Sequence, residues 1–226
     1  MERYNIFYQI HKGLRVMLYD SATLIQRTDF ANDEEAAEAI DRINEVILLF
    51  DKHAHSEDHH ILNAIETHDP SVAELFIDEH VMDHELGNKL ITLTRIYGSL
   101  DQDETREELG SAIRLAFTEF LVFNLQHMAK EEKELNQKLW SYFSDEELHA
   151  ITGTIINGIP SDMLQQYNIW MMRGLSNNEI IGWLGQVKSS APDFVFNGML
   201  ELAEAELDKQ RFSAIVGALT EGAMVA

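Results

Sequence analysis

The chain predicts an all-α fold: an up-down-up-down four-helix bundle followed by a C-terminal extension of short helices. Three observations predict it. Apolar residues recur at 3.6-residue spacing through four long segments. No alternating strand pattern competes with them, and helix-start signals punctuate the chain. Those signals are Asn32 with Glu35, Asp69 before Pro70, Thr105 with Glu108, Ser144 with Glu147, and Ser176 with Glu179.

The first helix is expected over residues 3–28, with an inward stripe of Phe7, His11, Leu14 and Leu18. The second, over 33–67, carries Val46, Phe50, His53, Glu57 and Ile61. In the third, over 70–99, the stripe reads Ala73, Ile77, His80, His84. The fourth, over 103–143, presents Phe117, Phe120, Asn124, His127, Glu131 and Leu135. Residues 1–143 are thus the expected bundle domain. Beyond them, residues 144–226 read as short helices near 145–156, 161–174, 177–190, 193–207 and 209–219, punctuated by Gly158, Pro160, Gly174 and Pro192. This extension is expected to pack on the bundle or to form a homodimer surface.

Charge and composition narrow the function. Against 39 acidic residues stand 17 basic ones, a formal charge of −22 that repels phosphate backbones and attracts metal cations. Nucleic acid is therefore a poor partner. No apolar run approaches the length of a membrane span, and the amino end shows no charged-then-apolar signal, so a cytoplasmic protein away from membranes is expected. The absence of cysteine excludes disulfides and thiol switches.

The chemistry lies in polar groups that continue the apolar stripes. Four helical residues turn about 400°, so His53 with Glu57, His80 with His84, and His127 with Glu131 each project two donors about 40° apart. One such spacing arises by chance in a chain with ten histidines. One set on each of four helices is the informative feature. Buried imidazoles and carboxylates are costly unless compensated. Two metal ions are one compensation, and hydrogen bonds among the histidines or to water are the other. His60, Tyr8 and Asn124 are further pocket candidates or plain packing. His55, turned about 200° from His53, faces away. His59 and His68 carry no pattern, and His149 reads as a surface side chain.

This layout resembles the hemerythrin-like family: a lone His, a His with Glu four on, two His four apart, and a His with a carboxylate four or five on. Here these are His11; "HAHSE" for His53 and Glu57; "HVMDH" for His80 and His84; and "HMAKEE" for His127 with Glu131 or Glu132. The resemblance covers about residues 1–143. It implies two iron ions joined by an oxo or hydroxo bridge, with His80, His84 and His127 on one, His11 and His53 on the other, and Glu57 and Glu131 bridging. Manganese and zinc stay open, since imidazole and carboxylate suit them too. Oxygen-carrying members use an aspartate five after the last histidine. Here Glu131 shares the face of His127, and Glu132 lies about 140° away unless the helix widens into a π-bulge.

The resemblance implies binding or sensing of a small diatomic ligand such as oxygen at an open metal position. The alternative is a redox enzyme acting on peroxide or nitric oxide, or iron delivery under nitrosative stress. Five histidines and a phenylalanine-rich lining favour the first; the glutamate shift and Tyr8 favour the second.

Overall fold

The computed structural model describes residues 3–100 and 105–221, and all regular secondary structure among them is helical. In chain order the long elements are α1 (Tyr8–Arg27), α2 (Asp33–Ser56), α4 (Pro70–Gly98) and α5 (Thr105–Lys130). A π-helical segment (Glu57–Leu62) carries α2 on into the short α3 (Asn63–Glu66). A second π segment (Glu131–Leu135) carries α5 on into α6 (Asn136–Tyr142). Then follow α7 (Asp145–Gly158), α8 (Ser161–Gly174), α9 (Asn177–Ser190), α10 (Asp193–Glu206) and α11 (Lys209–Glu221). No helix among the described residues is long and apolar enough to cross a membrane.

The caps act where the residue types require them. Asn32 accepts hydrogen bonds from the amides of Glu34 and Glu35, and Ser144 with Glu147 and Ser176 with Glu179 form complete capping boxes. Pro70 occupies the first turn of α4, where its missing N–H leaves no helical bond unmade. The first helix starts at Tyr8 rather than at the expected residue 3. Asn5 accepts the Phe7 amide on its own side chain, a local bond that competes with the helix. Arg3 meanwhile donates to the carbonyls of Trp140 and Phe143 near the end of α6. The expected start of the fourth helix at 103 lies outside the described residues.

The chain divides into two compact units. The first takes the chain up to Tyr8 and from Met17 to Pro160. In it α4 runs along α5 and α2 packs on α4. Ile6, Phe7, Ile61, Leu62, Ile65, Phe76, Leu135, Leu139 and, from α7, Leu148 make one buried cluster. A Cβ on Gly110 would lie 2.5 Å from the Phe30 ring, so only glycine lets α5 approach that side chain. The third stripe runs differently from the expected one: Ala73, Phe76, His80, Asp83, Gly87 and Leu90 are buried, whereas Ile77 is 40% exposed. Steps of three and four alternate along it, which keeps one seam inward. A further step of four from His80 leaves that seam.

The second unit joins Gln9–Val16, the early part of α1, to the chain from Ser161 on. Met172, Leu175, Ile180, Leu184, Met199, Ala203, Leu207 and Ile215 form its core. Two glycines allow the close contact there. A Cβ on Gly174 would meet the Lys12 carbonyl oxygen at 2.6 Å, and one on Gly13 would meet the Met171 nitrogen at 2.8 Å.

Lys12 Nζ also lies 2.6 Å from Glu179, the residue that completes the cap of α9. Partial burial by itself raises the Glu179 carboxyl, but Lys12 and Ser176 outweigh it and hold the pKa at about 2. A depressed carboxylate adds stability above its unfolded pKa and loses it as pH falls toward the folded value. Glu179→Gln is therefore expected to lower stability to urea at pH 7. The gap from wild type should shrink as pH falls from about 4.5 to about 2, and a gap independent of pH would contradict the assignment.

Candidate metal centre

Five of the sequence-predicted donors come together inside the first unit. His53 stands on α2 one turn before Glu57, which opens the first π segment. His80 comes from the middle of α4. His127 lies near the end of α5, and Glu131 opens the second π segment. Glu57, His80, His127 and Glu131 are buried, Glu131 completely. One donor atom from each of these four lies within 4.8 Å of the others, and His53, Glu57 and Glu131 form an overlapping group by the same measure.

The repeated spacing explains the two π segments. Buried positions run His53, Glu57, Ile61, Ile65 on one helix and His127, Glu131, Leu135, Leu139 on the other, every four residues, with only His53 partly exposed. In an α-helix three such steps drift about 120° around the axis. A π turn rotates less per residue. Widening the helix just after each glutamate returns the following apolar positions to the core. Because the widening begins at Glu131, His127 and Glu131 are still related as on an α-helix, and it is Glu131 that joins the cluster. Glu132 is only partly buried.

The shorter separations fit metal ligation. His53 Nε2 lies 3.2 Å from Glu57 Oε1, and His80 Nε2 lies 3.4 Å from Glu57 Oε2. Glu131 Oε1 is 3.3 Å from His127 Nε2 and 3.8 Å from His80 Nε2. Two ligands each about 2.1 Å from one ion, and about 90–110° apart around it, are themselves about 3.0–3.4 Å apart. The Nε2 atoms of His80 and His127 are buried and make no hydrogen bond. An ion seated between them and the carboxylates would give them a partner.

The other ring nitrogens are held by carboxylates. His80 Nδ1 is 2.6 Å from Asp58 Oδ1, and His127 Nδ1 is 2.8 Å from Glu79 Oε2. A carboxylate accepts, so each Nδ1 donates and each Nε2 is turned to the cluster. Glu79 also pairs with Lys130, and Phe123 stacks beside the His127 ring at 5.9 Å. Burial lowers the pKa of both imidazoles, but nearby carboxylates outweigh it. Asp58, Glu131 and Glu57 push His80 up to about 12, and Glu131 with Glu79 pushes His127 up to about 10. Without metal, the same groups therefore satisfy one another as ion pairs. Next to them Asn124 donates to Asp83 at 2.6 Å, while burial raises the Asp83 carboxyl.

The other two predicted donors are His84 on α4 and His11 on α1. His84 is 44% exposed, and its Nδ1 lies 2.9 Å from Asp51 Oδ1. His11 is fully buried on α1, in the stretch that groups with the second unit. Of the further pocket candidates, Asn124 is buried, His60 is partly buried and Tyr8 is 43% exposed. Asp58, Glu79 and Asp83 were missed by the reading of the stripes. Asp58 and Glu79 are neighbours in sequence of the donors Glu57 and His80, and that adjacency was their signal.

No protein-family model and no solved structure matches the chain. A zinc finger protein BRUTUS-like of Arabidopsis thaliana is 23% identical over 176 residues, which is 77% of this chain and 14% of that protein. The chain thus spans a small part of that relative's length. This chain has no cysteine from which to build a cysteine-ligated zinc finger.

The geometry separates the two histidines of the HVMDH segment. His80→Ala is expected to lose bound metal, and His84→Ala to keep it, by metal analysis after desalting. Asp58→Asn and Glu79→Gln should each weaken metal affinity about 10–100-fold while leaving every donor in place. Metal loss in His84→Ala would show that the exposed ring turns inward.

Proposed function

We propose that the chain is a hemerythrin-like protein whose long helices form a four-helix bundle around a two-iron centre that binds a small diatomic ligand, oxygen above all. The observation that carries this reading is the posture of Glu57. Its two oxygens face different histidines, Oε1 toward His53 and Oε2 toward His80. A carboxylate so placed would offer one oxygen to each of two ions. His80 and His127 would then hold one ion and His53 the other, with Glu131 shared between them. His11 is proposed as the second imidazole of the His53 ion, supported by its complete burial and its place in the family pattern.

Imidazole and carboxylate together suit iron. When loaded, such a centre would supply redox-active ions to which a small molecule can bind. The chain's own residues orient and shield it: Asp58 and Glu79 fix the rings, and Phe76 and Phe123 flank His127 at 6.1 and 5.9 Å. The partner in this reading is a small molecule, not nucleic acid or membrane, and the place of action is the cytoplasm.

A second reading, redox turnover of peroxide or nitric oxide, is favoured by the position of His84. Four histidines instead of five leave the ions more open than the family pattern implies. The two readings part in one experiment: metal analysis of protein purified without oxygen, followed by absorption spectra as oxygen is admitted and removed. Two irons per chain with a reversible spectral change support ligand binding. An irreversible change supports turnover. Protein from iron-rich medium that carries no metal contradicts both.

Metal bound to the native state alone stabilises it, by about 2.7 kcal/mol at a hundredfold excess over Kd. Chelation is therefore expected to lower Tm while helical circular dichroism persists, because the apolar stripes pack unaided. Loss of the helical signal on chelation would contradict this.

A further inference from the structure

His55, on α2, and His59, in the π segment that continues it, stand exposed, four residues apart, on the side of the helix turned away from His53. Their ring centroids are 4.0 Å apart and their planes 36° apart. The first π segment begins between them, at Glu57. Since a π turn rotates less per residue than an α turn, the four steps end closer to a full turn, with one ring over the other.

Hydrogen bonding has also chosen a tautomer. His59 Nδ1 lies 2.9 Å from the carbonyl oxygen of His55. A carbonyl can only accept, so Nδ1 carries the proton and the lone pair is left on Nε2, which points outward from the backbone. Two imidazoles at i and i+4 on one helix face are the arrangement by which helices chelate zinc-class ions. The surrounding charge of −22 raises the local concentration of cations.

We propose that His55 and His59 form an exposed site for a borderline divalent transition ion, with water in the remaining positions. Imidazole selects that class over calcium and magnesium. This site goes beyond the buried centre and needs none of its donors.

Two measurements on untagged full-length protein test it: retention on resin-immobilised Ni2+, and calorimetric titration with Zn2+. Buried donors cannot reach an immobilised ion. The expected result is that wild type is retained, while His55→Gln and His59→Gln each elute at lower imidazole. In the titration each variant should bind the weaker ion at least about tenfold less well, since one imidazole loses its tethered partner. His84→Gln, which removes another exposed histidine, should behave as wild type. Unchanged retention and titration in His59→Gln would overturn the proposal, as would loss of retention in His84→Gln with His55 and His59 intact. Metal that survives desalting reports on the buried centre, so failure of the outer site is distinguishable from failure of the inner one.

Discussion

Burying an ionised carboxylate in an apolar helical core costs several kcal/mol unless opposite charge or a metal compensates it. Glu57 and Glu131 are both buried in this way, from two different helices. Their compensation comes from His53, His80 and His127, on three separate helices. The requirement thus reaches across α2, α4 and α5, and each of those helices must present its donor at the same level. Asp58 and Glu79 extend the same logic outward, since each fixes the imidazole offered by the next helix. The order is sequential: the segment after α2 holds the histidine of α4, and α4 holds the histidine of α5.

The local backbone is adjusted to the same end. Two π segments in one small unit are uncommon, and both open on a clustered glutamate. Each lets a spacing of four residues keep one face inward, so that donors and the apolar side chains below them share the core.

The helices and three of the four inward stripes were legible in the sequence, because capping residues and 3.6-residue periodicity act locally. The stripe of α4 was not. His80 with His84 looked like a ligand pair, yet Phe76, Asp83 and Gly87 hold the seam, and a step of four from His80 turns His84 toward Asp51 and water. What decided this was packing by neighbouring helices: a Cβ on Gly87 would lie 3.5 Å from Ile47 and 3.9 Å from Phe120. The irregular start of the chain was hidden for a similar reason. Arg3 and Asn5 make bonds that periodicity cannot register. The π segments were written in the sequence as repeated four-residue spacing, a signal that lies between the helix periods usually considered.

The central claim, two ions held between Glu57 and Glu131, is tested most directly by anomalous diffraction at the iron edge from crystals of the iron-loaded protein. Two peaks about 3–4 Å apart, bounded by the side chains of Glu57, His80, His127 and Glu131, are the predicted result. A single peak, or peaks elsewhere in the molecule with the ion pairs of the cluster intact, would contradict it.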